Sequence, residues 1–297
     1  MKKLLILLIG AFAITGCNQN KNDEVFIAND YGAFLGRSDN DVTGFNKYKY
    51  VSVELDEFTH TNIQRLTRNG TNFFAYLNVG SLENYRDYYD DYESFTFKDY
   101  DNWPDERWID VTNTGWQNKV VELAEGFKND GAFGVYMDNV DVYSIAKEDE
   151  MNYSAFGNAL KSIISRVSAL GLQVLVNGGA EYFDDMNDLG DNVFDYVWAY
   201  HQEEVFSLIE DYEENTFTTQ DEEDKIYYQE IANIFKEKHK EVFLLEYTTD
   251  TSLKEAIKNY CDEKQYHYYV SSTVDLLWTL NLIKILKNFS KIQHTCV

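Results

Sequence analysis

The stretch FGVYMDNVDVY, residues 133–143, carries an apolar run over 133–137 that stops at Asp138, with a second carboxylate, Asp141, three residues on. Such a run has the length of a buried strand, and its abrupt end places two acids at the strand's tip. Seven further strand-like runs surround it, at 25–28, 50–53, 73–77, 173–176, 193–199, 242–245 and 266–270. Amphipathic helices are expected between several of them. Trp116, Val120, Leu123, Ala124 and Phe127 recur at helical spacing until Asn129-Asp130-Gly131. Phe156, Leu160, Ile163, Ile164 and Val167 do the same before Gly171, and 59–69 gives a shorter helix closed by Gly70.

Near-continuous apolar strands alternating with helices indicate a parallel sheet covered by helices, and eight of them indicate a closed α/β architecture, the (β/α)8 TIM barrel, as one domain over 25–290. The rival is an open doubly wound sheet. Against its nucleotide-binding form, no strand is followed by GxGxxG or GxxxxGK[ST].

Reading each run to its C-terminal edge gives Asn29-Asp30, Glu54 with Asp56, Asn78, Asp138, Asn177, His201 with Glu203, Glu246 and Ser271-Ser272. In a barrel these ends converge on one face, where the βα loops build the active site. Two acids facing each other across such a cup suit glycosidic bond cleavage, one protonating the leaving group while the other attacks or activates water. The alternative for Asp138 and Asp141 is a hard cation held by a DxxD pair. Among Cys and His no metal-ligand spacing appears, and neither metal nor cofactor is expected. Two βα loops are long, 79–107 and 202–222, and the first is dense in Tyr, Phe and Trp, which suits either stacking on sugar faces or holding the loop down.

The N-terminus MKKLLILLIGAFAITGC reads as a secretory signal over 1–16, with two lysines, an apolar stretch and small residues before Cys17. That stretch is shorter than the roughly 20 residues a membrane-spanning helix needs. Its ITGC ending is similar to a bacterial lipobox, which implies cleavage before Cys17, a lipid on its sulfur, a tether over 17–24 and a location on the outer face of a bacterial membrane. Residues 291–297 read as a tail, and 274–287 as the last barrel helix. Cys261 is expected to pack on the apolar face of a helix that starts near Ser252. The formal net charge of −25 disfavours nucleic acid and anionic surfaces and favours neutral or cationic partners; a monomer is expected.

The ordered set FFAYLNVGSLENYR (73–86), WIDV (108–111), FGVYMDNVDVY, LQVLVNGGAEYF (172–183), HQEEVFS (201–207) and FLLEY (243–247) resembles the endo-α-1,4-polygalactosaminidase-like family, glycoside hydrolase family 114 and its relatives. The resemblance covers roughly residues 25–272 and implies a barrel hydrolase acting outside the cell on galactosamine-containing polysaccharide. It places the aspartate of a DNxD signature on Asp138, as nucleophile, and the glutamate of an E-x-(hydrophobic)-F signature on Glu203, as acid/base, with Glu204 competing for the second role. It implies that Asn78, Glu83, Arg86, Asp141, Asn177, Glu246 and Tyr247 contact the sugar; His201 joins them as a polar strand end, and Asp30 and Tyr31 from the first strand. An inactive, carbohydrate-binding surface lipoprotein on the same scaffold is the alternative function.

Overall fold

Eight parallel strands make the body of the molecule: β1 Tyr31–Phe34, β2 Tyr50–Val53, β3 Asn72–Asn78, β4 Gly134–Asp138, β5 Gln173–Asn177, β6 Ala199–Glu203, β7 Glu241–Tyr247 and β8 His267–Ser271. Each pairs with the next in chain order. β8 returns to β1, where Phe34 and Tyr269 meet edge to face with ring centroids 5.3 Å apart, so the barrel is nearly closed. This computed structural model describes residues 27–28, 30–39, 44–101 and 103–276. The signal, the tether with Cys17, Asn29, Cys296, the tail and most of the last expected helix lie outside the described residues.

The helices follow the sequence pattern. They are α1 His60–Arg68, α2 Tyr89–Tyr92, α3 Thr114–Asp130, α4 Val142–Glu148, α5 Tyr153–Ala169, α6 Ala180–Asp188, α7 Glu222–Glu237 and α8 Thr251–Lys264. Asn113 starts α3 by accepting from the Trp116 N–H at 3.0 Å, and Asn152 starts α5 by accepting from the Ala155 N–H at 3.3 Å. Both helices bury the stripe their spacing announces, Leu123 only in part, and Cys261 is buried on α8.

Strand alternation sorts side chains between the barrel interior and the helix layer. Tyr200 points outward and stacks on Phe235 of α7 at 4.4 Å. Inside, Tyr50, Phe74, Trp198 and Phe243 pack ring against ring and plug the lower barrel, with His267 stacked on Phe243 at 4.4 Å. Tyr31, Tyr136 and His201 form a layer above them, with His201 4.9 Å from Tyr136 and 5.6 Å from Tyr31 between centroids. On the same strands one step higher stand Asp138 and Glu203. Gly134 permits the close approach of β4 to β5, since a Cβ there would lie 2.1 Å from the Gln173 carbonyl oxygen.

Two strand expectations are corrected. The first barrel strand is Tyr31–Phe34; the run before it contributes Ile27–Ala28, which pairs antiparallel to β8. Residues 193–199 are not the sixth strand. Asp191 accepts from the Val193 N–H at 2.7 Å and starts a 3-10 turn over Asn192–Tyr196, so β6 begins at Ala199 and runs through the polar His201, Gln202 and Glu203. The two long loops carry their own structure. The first folds into an antiparallel sheet of Ser81–Glu83, Glu106–Ile109 and Thr96–Asp99, and the second into a hairpin of Ser207–Asp211 with Thr216–Thr219.

Candidate active site

Strand register builds the site. Asn78 at the end of β3 lies beside Asp138 at the end of β4, and Asn177 at the end of β5 lies beside His201 on β6. Tyr136 and His201 sit two residues before Asp138 and Glu203, hence on the same inward face and one layer down. Above them a cleft of about 680 Å³ opens, walled by the two folded loops.

Asn177 ties the two acids together. Its Nδ2 donates to Asp138 Oδ1 at 2.8 Å and to Glu203 Oε1 at 2.9 Å, so these oxygens are separated by no more than the sum of the two, 5.7 Å. Because that amide nitrogen faces the acids, Asn177 Oδ1 is an acceptor, and His201 Nδ1, 2.6 Å away, must carry the proton. Burial drives the His201 pKa down to about 3, so the ring is neutral; among the described residues its Nε2 has no hydrogen-bond partner. His201 therefore fixes the orientation of Asn177 from below and does not reach the cleft.

Each acid has further donors of its own. Asp138 accepts from the Tyr76 hydroxyl at 2.9 Å and from the Asn139 backbone N–H at 2.9 Å. Glu203 accepts from the Tyr136 hydroxyl at 3.1 Å and the Tyr247 hydroxyl at 2.7 Å. Burial pushes the Glu203 carboxyl up to about 7, with the neighbouring Asp138 charge adding to the rise against the pull of Tyr247 and Asn177. Burial also raises Asp138, opposed by Asn177, Tyr76 and the Asn139 N–H. One acid is thus poised to hold a proton near neutrality beside another that is richly supplied with donors.

Asp141 stands beside this pair. Gly178 and Gly179, both at positive φ (66° and 72°), turn the chain after β5 so that the Gly179 N–H donates to Asp141 Oδ1 at 2.8 Å, and a Cβ on Gly178 would lie 2.2 Å from Asp141 Oδ2. Burial, with the Asp138 charge adding to it, raises Asp141 to about 6. Asp138 has protein donors on both oxygens and Asp141 on Oδ1, and among the described residues no three His, Cys, Asp or Glu side chains gather as a metal site.

The other expected site residues fall into two groups. Tyr247 and Glu83 line the cleft with Asp138, Asp141, Asn177 and Glu203. Asn78 is buried beneath it, donating to Ser81 Oγ at 2.7 Å and accepting from the Asn139 side chain at 3.0 Å. Arg86 is saturated by carboxylates, with Glu83 at 2.7 Å and Glu54 at 2.8 Å, and braces the cleft wall.

Beyond His201, Asn78 and Arg86, three more expected residues do not line the cleft. Asp30 precedes β1 and bonds to His267 Nδ1 at 2.5 Å where β8 begins, at the opposite end of the barrel, because β1 starts after it. Tyr31 is buried in the barrel interior and donates to Ser52 Oγ at 3.1 Å. Glu246 is buried outside the cleft, where it accepts from the backbone N–H groups of Val205, Phe206 and Ser207 and from Ser207 Oγ, anchoring the hairpin. Glu204, at φ 57°, turns its carboxylate back to the Ile209 N–H, so Glu203 is the glutamate set against Asp138.

The sequence reading passed over Tyr76, Tyr136 and Glu106. The tyrosines sit inside apolar runs, and only the two-residue offset from a strand-end polar group marks them. Glu106 comes from the first long loop and lines the cleft close to Asp138. The loop aromatics divide between two roles: Tyr92 packs on Trp116 at 5.4 Å and Tyr88 at 6.3 Å, holding the loop down, while Tyr85, Tyr100 and Trp103 line the cleft.

These carboxyls set the pH dependence of stability. Glu106, Glu203 and Glu246 are each held near 7 by burial, above the ordinary range near 4.3, so between those values the folded chain binds more protons than the unfolded one. Stability then falls as pH rises through this window, and repulsion within a chain of net charge −25 acts in the same direction. Thermal unfolding is expected to show a Tm higher by about 5 °C at pH 5 than at pH 8; a Tm that climbs across that interval would refute the assignment.

A parallel barrel with two hydrogen-bonded acids on the C-terminal ends of β4 and β6, at the floor of an open cleft, is the arrangement of a retaining or inverting barrel glycosidase. The chain belongs to glycoside-hydrolase family GH114, whose model matches residues 19–289. Among solved structures the glycoside hydrolase domain of PelA from Pseudomonas aeruginosa superposes with a TM-score of 0.71 at 15% identity, covering 85% of this chain and 98% of that one. Aspergillus fumigatus Ega3 in complex with galactosamine gives 0.66 at 17% identity, over 84% and 94% of the two chains. The α-galactosidase TtGalA from Thermus thermophilus gives 0.53 at 8% identity, over 88% and 61%. At these identities the likeness is one of fold. No curated protein matches.

Proposed function

We propose that the protein is a retaining endo-glycosidase that cleaves α-1,4-linked galactosamine polymer, with Asp138 as nucleophile and Glu203 as acid/base. The observation that carries the substrate is the charge of the cleft. Among the described residues ten Asp or Glu line it and no Lys, Arg or His does, which favours a polymer bearing ammonium groups over a neutral or anionic one. The structural likeness to Ega3, solved with galactosamine, supports the same reading.

The mechanism rests on the shared Asn177 amide. Retaining glycosidases hold their carboxyls about 5–5.5 Å apart and inverting ones about 6.5–9.5 Å, leaving room for a water; an upper limit of 5.7 Å between Asp138 Oδ1 and Glu203 Oε1 fits the first. Glu203 donates its proton to the glycosidic oxygen as Asp138 attacks the anomeric carbon, giving a glycosyl ester and a free chain end. Glu203, now ionised, then takes a proton from the water that releases the sugar. Tyr76, Asn177 and the Asn139 N–H keep Asp138 oriented for attack.

Proton NMR of the anomeric signals in the first minutes of reaction tests both parts. New galactosamine chain ends are expected as the α-anomer; the β-anomer first would exclude double displacement, and no new ends from this polymer would exclude the substrate. The N-terminal MKKLLILLIGAFAITGC supports export and attachment through a lipid on Cys17, which would hold the enzyme at the outer face of a membrane where a secreted polymer is accessible.

A further inference from the structure

We infer that Glu106 is the residue that reads the amine of the sugar, its carboxylate receiving the ammonium of a galactosamine unit held against Asp138. This deepens the reading of the site as a galactosaminidase and rests on it.

Glu106 opens the central strand of the loop sheet and lies directly opposite Glu83 in the antiparallel register. Like charges in that position are unfavourable, so each needs a compensating charge. Glu83 has one, since Arg86 donates to its Oε2 at 2.7 Å and to its Oε1 at 3.0 Å. The rest of the same guanidinium goes to Glu54, at 2.8 and 3.3 Å. Arg107, next in sequence, forms its ion pair with the exposed Asp99 at 3.1 Å. Among the described residues neither arginine forms an ion pair with Glu106.

What Glu106 has instead is a set of neutral donors, all on one oxygen. Its Oε2 accepts from Ser81 Oγ at 2.5 Å, Asn78 Nδ2 at 3.3 Å and Asn139 Nδ2 at 3.5 Å. Among the described residues no hydrogen bond reaches Oε1, and the side chain lines the cleft. The carboxylate is thus fixed by one oxygen and open by the other. Asn139 locks it to the reacting centre: its backbone N–H binds Asp138 while its side chain reaches Glu106, Asn78 and Ser81, and the Tyr100 hydroxyl donates to its Oδ1 at 3.2 Å.

Burial, with the Glu83 and Asp138 charges adding to it, lifts the Glu106 carboxyl to about 7, opposed by Ser81 and Asn78. A bound ammonium would supply the cation that the fold withholds. An N-acetyl group brings a neutral amide in its place, which can offer one N–H but no countercharge, so Glu106 makes the enzyme select deacetylated units.

The test compares kcat/KM on galactosamine oligomers and N-acetylgalactosamine oligomers of equal length for the wild type and Glu106→Gln, which keeps the shape and an acceptor oxygen. The ratio of amine to acetyl substrate is expected to fall roughly 10- to 100-fold in the variant, chiefly through KM on the amine. An unchanged ratio, whether or not both rates fall together, would overturn the role. Calorimetry with a galactosamine tetramer runs in parallel, using Asp138→Asn with and without Glu106→Gln. Equal affinity, or no binding by either protein, would also overturn it. A wild type inactive on both oligomers would sink the galactosaminidase reading separately, leaving the calorimetry to decide for Glu106 as an amine-binding residue.

Discussion

Asp138→Asn is expected to lower kcat by about 10,000-fold or more while the protein stays folded and binds polymer. Asn keeps the shape: its one carbonyl oxygen can still accept from the Asn139 N–H and from Asn177, while its amide nitrogen can donate to the Tyr76 oxygen, so the barrel has no cause to unfold. What is lost, in the proposed mechanism, is the carboxylate that attacks the anomeric carbon. The variant also removes the charge that helps to raise Glu203, Asp141 and Glu106, so all three should titrate lower in it. Reducing-end release, with polymer binding and circular dichroism as controls, reads the first effect. A variant that retains a tenth of wild-type kcat would remove Asp138 from the chemistry.

Glu203→Gln is expected to cost roughly 100- to 10,000-fold and to abolish the alkaline limb of the pH profile. In the proposed mechanism Glu203 must be protonated in the free enzyme to start the reaction, so kcat/KM should fall as pH rises through about 7. Asp138 must be ionised, which produces the acid limb; because the two carboxylates are coupled, the limbs report values of the pair. With Gln at 203 no proton leaves that position and the alkaline limb disappears. The remaining activity should be greatest on substrates whose leaving group departs without protonation, such as aryl glycosides. An alkaline limb that persists unchanged in Glu203→Gln would assign the proton to another group, with Glu106 next in line.

Much of this site could be read from the chain because a barrel converts a one-dimensional pattern into one place. Asp138, Asn177, Glu203 and Tyr247 are far apart in sequence yet stand at strand ends, and parallel register brings all strand ends to one face. The same logic misplaced Asp30 and Tyr31. The chain has two short apolar runs around Asn29-Asp30, and taking the first as the barrel strand turned the start of the true strand into its end. Glu246 ends a strand too, but the hairpin folds back over it and uses its oxygens for backbone N–H groups, a contact between distant segments that no local pattern announces.

The sixth strand was hard to place for a related reason. Periodicity rewards apolar residues, and β6 carries its most polar side chains, His201 and Glu203, on the inward face. Inward polarity reflects function rather than packing, so strand signals weaken where the chemistry is. Tyr76 and Tyr136 were hidden in the opposite way, passing for core residues while their hydroxyls serve the acids. Glu106 depended on the fold of a long loop, which sequence periodicity does not specify.

Reducing-end release from α-1,4-galactosamine polymer, measured side by side for the wild type, Asp138→Asn and Glu203→Gln, tests the central claim most directly. Release by the wild type with near-complete loss in both variants is the predicted result. Undiminished release by either variant, or none from the wild type on a polymer that it binds, would contradict it.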